Sequence, residues 1–544
     1  MDSKIIDGLD FLELVKCATE NLIKDVERIN SLNVFPVPDG DTGTNMRMTL
    51  EGGISEASAQ NEKNLGVCSK NIAKGMILSG RGNSGVILSQ FFKGISNGFK
   101  GLEKANAKEF ANAFLEATKR SYQVVQNPTE GTILTVMREA GEFVSNNVNE
   151  DTTIPELLEL YLSQARKTLD KTPELLPVLK KAGVIDSGGA GLCLVIEGML
   201  LKSKGEKISE ESILDKKETF NKNSLLTYGY QLEFILQLQE SKVNTSKFKI
   251  DKVKDYLNST GKNLTIRLED TKIYASINTF NPGQIISECR KYGELLKAQI
   301  HNLDFSGEYN SIIEPETKEE KPFKKFATIA VANGSGLVEV LKEMGIDVVV
   351  SGGQTMNTST QDFIEAFKSL NAENIIVFPN NGNILMAAQM ARDNYSDANV
   401  YVVPTKTIAQ GFSAASMLNF ESNDINIILE ELNDVIKNVS TIEVTYSVRD
   451  CVINDINIKK GDYICLYNNE LIASSTDRVS ALKEAFRVID DFKDKEVMTI
   501  LCGNDVSIDE SDKIKNLAEA FNSSLEVYLV DGKQDIYSYI IGLE

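Results

Sequence analysis

Apolar residues recur three or four positions apart from the start of the chain to about residue 200, as in Leu9, Leu12 and Val15. The same spacing fills residues 106–125 and 154–169. One apolar stripe along each segment is typical of amphipathic helices. Glycine-rich segments separate the stripes, with the sequences "PDGDTGTN", "SGRGNSG", "EGTILT" and "DSGGAG". This part of the chain is therefore predicted to be all-helical, with glycine loops between its helices.

The pattern changes after two charged segments that are poor in large apolar residues, 202–226 and 314–325, which predict linkers. Between them, "LEFILQLQ", "NLTIRLED" and "KIYASINT" alternate as strands do, and "NPGQIISECRKYGELL" is predicted to be a helix with Pro282 in its first turn. Beyond the second linker, strand and helix patterns alternate, which predicts a parallel α/β sheet. We expect a multidomain chain with an all-α, an α+β and an α/β domain, at residues 1–201, 227–313 and 326–544.

Charge and composition exclude some classes of function. The formal net charge is −20, which disfavours binding to nucleic acid or to anionic lipid surfaces, because both depend on basic side chains. The first residues lack a basic start followed by an apolar run, so no secretory signal is expected. No apolar run reaches about 18 residues, so no membrane span is expected. Seven scattered cysteines without a CxxC pair favour reduced thiols and a cytoplasmic protein.

A single histidine, His301, limits the possible chemistry further. Catalytic triads, phosphohistidine relays and multi-histidine metal sites need more histidine or this one residue. His301 lies in the strand-like run "LKAQIHNLDF" without a second catalytic residue type beside it, which favours a structural or surface role.

The strongest candidate site is the segment Asn33–Asn45, "NVFPVPDGDTGTN". Asp39 and Asp41 can point to one position when the loop bends at Gly40, and Mg²⁺ prefers such oxygen ligands. Thr42, Thr44 and Asn45 lie where a helix is predicted to begin, and a helix N-terminus favours phosphate. The alternative is an Asx-turn that only caps this helix. The loop "SGRGNSG" is a second candidate phosphate site, although a tight connection between helices is equally compatible with its sequence.

The four glycine motifs, in this order and spacing, resemble the nucleotide-binding domain of dihydroxyacetone kinases. The resemblance is closer to the ATP-binding subunit of bacterial fatty acid kinases, through "NVFPVPDGDTGTNM", "RGNSGVILSQ", "VVSGGQTMNTSTQDFIEAF", "VFPNNGNILMAAQMA" and "VVPTKTIAQGFSA". It implies an antiparallel barrel of helices that binds ATP and Mg²⁺, a middle domain, and a DegV-like C-terminal α/β domain that docks a fatty-acid carrier. It also implies a homodimer.

The resemblance assigns roles to individual residues. It implies that Asp39 and Asp41 bind Mg²⁺, and that Asn33 stands where dihydroxyacetone kinases have a third aspartate. Arg81 is a candidate for stabilising charge on the transferred group, with a surface or helix-pairing role as the alternative. The positions expected to contact nucleotide are Thr42, Gly43, Thr44, Asn45, Asn83, Ser84, Gly131, Thr132 and Asp186.

The middle domain departs from many relatives, which have a cysteine and two histidines that resemble a zinc site. This chain has Gln231, Ser276 and Asn278 at the corresponding places. None of the three is a good zinc ligand, so no zinc is predicted.

The implied reaction is phosphoryl transfer from ATP to the carboxylate of a fatty acid carried by a separate lipid-binding protein, giving an acyl phosphate. A carboxylate acceptor is ionised near neutral pH and needs no general base, so a kinase without catalytic histidine is reasonable. Loops after the C-terminal strands, such as Asn333–Gly336, Gly352–Thr355 and Asn380–Asn383, are candidates for docking the carrier. They could equally be tight connections in the sheet. A kinase of dihydroxyacetone or another polyol, and a non-catalytic scaffold, are the alternative functions.

Overall fold

The computed structural model describes residues 4–34, 40–60, 62–206, 229–302, 322–353, 357–447, 450–453 and 456–544. The chain divides into two compact units, and the first combines residues 1–208 with residues 321–544. We call its two sections the helical part and the C-terminal part. The second unit, residues 209–320, is called the middle unit.

The helical part consists of α-helices and one short strand pair in its described residues, as the apolar spacing predicted. The strands β1 (Ile5–Ile6) and β2 (Ala105–Asn106) pair antiparallel. The helices are α1 (Gly8–Lys24), α2 (Val26–Leu32), α3 (Thr42–Ser58), α4 (Leu65–Ser79), α5 (Gly82–Gly98), α6 (Ala107–Val124), α7 (Ile133–Asn147), α8 (Ile154–Asp170), α9 (Thr172–Leu175), α10 (Pro177–Ala182) and α11 (Ser187–Ser203).

Side-chain caps define where several of these helices begin. Asp7, Asn106 and Thr153 form capping boxes at α1, α6 and α8, each with an acidic residue three positions later. The apolar stripes meet in one core, where Phe110 and Phe114 stack at a ring separation of 4.7 Å. Helices α4 to α8 pack in succession, and both α8 and α1 pack against α11. The helices therefore surround a shared apolar interior.

The middle unit has one antiparallel sheet with two helices. Its strands are β3 (Tyr230–Leu238), β4 (Lys262–Glu269), β5 (Lys272–Thr279) and β6 (Gly293–Asn302), in the order β4-β5-β3-β6. Its helices are α12 (Asp251–Thr260) and α13 (Pro282–Cys289).

The predicted helix over "NPGQIISECRKYGELL" is correct at its start and wrong at its end. Pro282 occupies the first turn as predicted, but α13 ends at Cys289. The residues "GELL" begin β6, which pairs with β3 along its length. Local apolar spacing cannot reveal this pairing, because the partner strand lies more than fifty positions earlier in the chain.

The C-terminal part begins with the predicted parallel α/β arrangement. Its first sheet contains β7 (Lys324–Ala332), β8 (Val348–Ser351), β9 (Ala372–Phe378) and β10 (Asn399–Val402), all parallel, in the order β10-β9-β7-β8. Its helices are α14 (Ser335–Glu343), α15 (Thr360–Lys368), α16 (Leu385–Asp393), α17 (Ile408–Ser416) and α18 (Ile425–Asn438).

A second, mixed sheet completes the C-terminal part. Its order is β15-β14-β11-β18-β16-β17, and only β16 and β17 are parallel neighbours. The strands are β11 (Ser440–Tyr446), β14 (Tyr463–Tyr467), β15 (Glu470–Ser475), β16 (Val497–Gly503), β17 (Glu526–Gln534) and β18 (Tyr539–Leu543). The remaining elements are a hairpin of β12 (Cys451–Ile453) and β13 (Ile456–Ile458), and helices α19 (Arg478–Val488) and α20 (Ile508–Phe521).

The helical and C-terminal parts share an apolar core. Val86 of α5 is fully buried in a cluster with Ile329 and Phe363 of the C-terminal part. The backbone N–H of Thr360 also donates to the carbonyl of Gly80 at 3.2 Å. These contacts hold the start of α5 against the first sheet. No helix within the described ranges is both long and apolar enough to cross a membrane.

Candidate functional site

A cavity of about 280 Å³ lies where the N-terminal ends of α3, α5, α7 and α11 meet the start of α16. Three of the predicted motifs that are distant in sequence therefore converge on one space, together with the start of α7. The residues predicted for the site that line it are Asn33, Asp41, Thr42, Asn45, Asn83, Ser84, Thr132 and Asp186.

Asp41 occupies the N-cap position of α3, yet its side chain does not cap the helix. The Oδ1 atom of Asn30 accepts hydrogen bonds from the backbone N–H groups of Gly43 at 2.8 Å and Thr44 at 3.2 Å. An N-cap aspartate ordinarily accepts such bonds itself. Because Asn30 of α2 takes this role, the carboxylate of Asp41 remains available to the cavity. The alternative interpretation of this motif, an Asx-turn that caps the helix, is therefore wrong for Asp41.

Helix α3 also begins earlier than the sequence suggested. Its first residue is Thr42, so Thr42 and Asn45 lie in the first turn and line the cavity. The Oγ1 atom of Thr42 is 3.2 Å from the Oγ atom of Ser187, which connects α3 to α11. The Oγ1 atom of Thr44 instead accepts from the Nδ2 atom of Asn30 at 3.1 Å.

The loop before α5 comes close to α3 through a glycine. Gly82 has a φ of +54°, and a Cβ atom there would lie 2.5 Å from the Nδ2 atom of Asn45. A larger residue would therefore face both backbone strain and a steric clash. The next residue, Asn83, donates from Nδ2 to the Oδ1 atom of Asn383 at 3.3 Å. The second motif thus contacts α3 on one side and the C-terminal part on the other.

Asp186 connects the starts of α7 and α11. It is the N-cap of α11, and its Oδ2 atom accepts from the backbone N–H of Gly189 at 2.6 Å. Burial raises the pKa of Asp186 to about 6, while hydrogen bonds from the backbone N–H groups of Gly189 and Ile133 act in the opposite direction. Its carboxylate is thus held at the cavity wall by backbone donors of two helices.

Five of the residues predicted for the site do not line this cavity. Asp39 lies outside the described residues. The remaining four, placed elsewhere, are Gly43, Thr44, Arg81 and Gly131.

Two of these four have local structural surroundings of their own. Gly131 has a φ of +82°, and a Cβ atom there would meet the Cβ atom of Leu176 at 2.9 Å. The guanidinium of Arg81 donates from Nη1 to the backbone carbonyl of Asn357 at 2.7 Å and lies 3.5 Å from Asp362. Arg81 therefore holds the C-terminal part against the helical part.

Sequence reasoning missed the contributions of Asn30 and of the C-terminal part. Asn357 donates from Nδ2 to the Oδ2 atom of Asp41, and its backbone carbonyl accepts from Arg81. Asn383, Leu385 and Met386 line the cavity from the start of α16. Asn383 lies in the quoted "FPNNGN" loop, but nothing in the local pattern indicates that this loop faces a site more than three hundred positions away along the chain.

The chemistry of the cavity follows from these surroundings. Backbone N–H groups at helix N-terminal ends favour an anion, and four such ends of the helical part converge here. Asp41, Thr42 and Asn45 offer carboxylate, hydroxyl and amide oxygens, which are ligands that Mg²⁺ accepts. The other side of the cavity is apolar, with Ile87 and Met386 among its residues. Among the described residues, no group of three or more His, Cys, Asp or Glu side chains could hold a metal ion.

The middle unit was predicted to lack a zinc site, and its corresponding residues make polar contacts. The Nε2 atom of Gln231 lies 3.3 Å from the Oγ atom of Ser276. Gln231 faces Asn278 on β5 and His301 on β6 in the strand registers. The absence of zinc itself stays a prediction.

Comparison with known proteins accounts for most of the chain. The family model of the DAK2 domain matches residues 36–201, and the models of the FakA-like fatty acid kinase middle domain and C-terminal domain match residues 227–308 and 327–544. The chain is 35% identical to protein YloV of Bacillus subtilis (strain 168) over 565 residues, covering 100% of both chains. It is 34% identical to the uncharacterized protein SAB1090 of Staphylococcus aureus (strain bovine RF122 / ET3-1), covering 99% of both.

One solved structure, the dihydroxyacetone kinase from C. freundii in complex with AMP-PNP and Mg²⁺, matches 35% of this chain and 33% of its own, at 19% identity and a TM-score of 0.28. This likeness is too low to support an argument. The similarity to relatives over their whole length, together with the matches to all three family models, shows that the chain belongs to the FakA-like family of fatty acid kinase proteins.

Proposed function

We propose that this chain is the ATP-binding subunit of a two-component fatty acid kinase. It transfers the γ-phosphoryl group of ATP to the carboxylate of a fatty acid that a separate lipid-binding protein presents, and the product is an acyl phosphate. The observation that carries the proposal is the convergence of α3, α5, α7 and α11 on one cavity, with the Asp41 carboxylate beside their N-terminal ends. Membership of the family supports the same activity.

The geometry supports a division of the cavity between the two ends of a nucleotide. The phosphates lie at the helix N-terminal ends, where N–H groups and dipoles favour negative charge. The base lies against the apolar side that includes Ile87 and Met386. Asp186 braces α7 and α11 through its backbone hydrogen bonds, so that the two ends keep their positions.

The oxygens of Asp41, Thr42 and Asn45 fit a hard cation, and with Asp39 they would hold Mg²⁺ beside the phosphates. Asn33, which is 7% exposed and lines the cavity, is a further candidate oxygen ligand. Bound Mg²⁺ supplies neutralisation of phosphate charge. We infer that the helices form the antiparallel barrel that the resemblance implied, which the packing of α8 and α1 against α11 supports.

The transfer itself needs little from the protein beyond position and charge. An oxygen of the substrate carboxylate forms a bond to the γ-phosphorus, the bond to the bridging oxygen breaks, and ADP leaves with that electron pair. No proton has to be removed from an ionised carboxylate, so no histidine is required. The proposed carrier, the homodimer and the cytoplasmic location stay predictions for this chain.

The test is a reconstituted assay. The purified chain is incubated with ATP, Mg²⁺ and a fatty acid, with and without a lipid-carrier protein, and acyl phosphate is trapped with hydroxylamine as the hydroxamate. We expect hydroxamate only when the carrier is present, and none with Asp41→Asn. Hydroxamate formation without the carrier would contradict the two-component arrangement.

Dihydroxyacetone serves as the competing acceptor in the same assay. Its phosphorylation, with no hydroxamate from fatty acid, would favour a polyol kinase. Absence of ATP consumption with every acceptor, despite a folded chain, would favour a non-catalytic scaffold.

A further inference from the structure

Asn357 brings the C-terminal part into contact with the candidate metal-binding carboxylate. It lies between β8 and α15 and is 4% exposed. Its Nδ2 atom donates to the Oδ2 atom of Asp41 and lies 3.5 Å from the Oδ1 atom of Asn45. Its backbone carbonyl accepts from Arg81. One residue of the C-terminal part thus bonds to three residues that were predicted for the site from the helical part.

The hydrogen bonds around Asp41 leave one carboxylate oxygen for a ligand. Asn30 accepts the N–H groups that an N-cap aspartate would otherwise bind, so Asp41 makes no capping bond. Asn357 occupies Oδ2, and no donor among the described residues reaches Oδ1. A carboxylate that is held through one oxygen keeps a fixed orientation while the other oxygen stays free to bind a cation.

The amide of Asn357 has no second task in the described part of the chain. Its Oδ1 atom is buried without a hydrogen-bond partner there, so its side-chain bonds go to Asp41 and Asn45 alone. Leaving a buried polar atom unpaired costs about 1–3 kcal/mol. Residues that serve packing alone do not require an amide here, because an apolar side chain would avoid that cost.

We propose that Asn357 is a positioning residue that orients the Asp41 carboxylate for Mg²⁺, so that the metal site is complete only with the C-terminal part in place. This inference rests on the proposed function. Hydrogen bonds to a metal-binding side chain fix its orientation, and their loss typically lowers metal affinity about 10- to 100-fold. Arg81 supports the same arrangement by holding the backbone of Asn357, with only 20% of its side chain exposed.

The experiment measures ATP binding by calorimetry on the full-length chain, as a function of Mg²⁺ concentration. Asn357→Ala is expected to raise the half-saturating Mg²⁺ concentration about 10-fold or more. The affinity for ATP without Mg²⁺ is expected to stay within about twofold, because Asn357 does not line the cavity. Loss of both affinities together would indicate a general structural role and overturn the proposal.

Two further variants make the test independent of folding accidents. Asn357→Ser keeps a small polar side chain that is too short to reach Asp41, and it should reproduce the Mg²⁺ effect. Met390→Leu alters a buried contact between the same two parts, where the Nε2 atom of Gln90 lies 3.5 Å from the sulfur. It should bind Mg²⁺-ATP as the wild type does.

The outcomes separate this inference from the proposed function. Wild-type protein that shows no Mg²⁺-dependent ATP binding would overturn both. Normal binding by the wild type, with Asn357→Ala and Asn357→Ser within about twofold of it, would overturn the positioning role alone. A 10-fold loss in Met390→Leu as well would also overturn it, because any disturbance between the two parts would then suffice.

Discussion

The side chain of Asn30 caps helix α3 by accepting the backbone N–H of Gly43 at 2.8 Å. This bond joins α2 to α3 and replaces the cap that Asp41 would otherwise supply. The carboxylate at the start of the helix is therefore available for another use. Local sequence favours capping by Asp41, and the position of α2 reverses that preference.

Asn30→Ala should therefore impair both the helix and the site. Loss of a capping side chain typically costs about 1 kcal/mol of stability. In the variant, Asp41 is expected to turn toward the exposed N–H groups, so Mg²⁺-dependent ATP binding should weaken. Calorimetry and thermal melting would measure the two effects. Asn30→Asp is the control, since it keeps the acceptor and should retain both properties; equal ATP binding by all three proteins would contradict the prediction.

Gly82→Ala is expected to reduce ATP affinity at least 10-fold, because its Cβ atom would lie 2.5 Å from the amide of Asn45. Gly101→Ala is a matched control with a φ of +84° and no atom within 4 Å of its Cβ position. Both variants should lose about 1 kcal/mol of stability through backbone strain, but only Gly82→Ala should lose binding. A similar loss of binding in Gly101→Ala would show that strain alone is responsible.

Glu443 makes the stability of the C-terminal part dependent on pH. Burial raises the pKa of this β11 carboxyl from 4.5 to about 7. The group is protonated in both the folded and the unfolded state below about pH 4.5. Between there and pH 7 the folded state binds the proton more strongly, so stability falls as pH rises. At about 1.4 kcal/mol per pH unit, the cost above pH 7 reaches about 3 kcal/mol.

Glu443→Gln should remove this cost, since a neutral amide of similar shape replaces the buried carboxylate. We expect a higher melting temperature than wild type at pH 8.5 and little difference at pH 5. Glu470→Gln, at an exposed position on β15 of the same sheet, is the control and should change neither value. An unchanged melting temperature for Glu443→Gln at pH 8.5 would argue against the predicted titration.

The middle unit is predicted to be stable without zinc. A structural zinc ion needs about four sulfur or imidazole ligands, whereas Gln231 and Ser276 lie within 3.3 Å of each other at the corresponding place. Elemental analysis of the purified chain should find no stoichiometric zinc, and a chelator should not lower the melting temperature beyond the effect of removing Mg²⁺. One zinc per chain would refute this and direct attention to Cys289 and His301.

Local sequence was sufficient to predict the helical part and the first parallel sheet. The apolar stripes that begin near Leu9 and the alternation after residue 326 each reflect one buried face per element, which is a property of neighbouring residues. Pro282 likewise marked the start of α13. The end of that helix was wrong, because the pairing of β6 with a distant strand decided the conformation of "GELL".

The candidate site shows the same division between local and long-range effects. The sequence by itself determined the glycine-punctuated motifs with Asp41, Asn83 and Asp186, since the freedom of glycine and the oxygens of these side chains are local properties. Only the tertiary structure decided that these motifs line one cavity, that Asn30 frees Asp41 from capping, and that Asn357 bonds to its carboxylate. These contacts join residues up to 316 positions apart. They depend on how the helices and the sheet pack together, which no local pattern specifies.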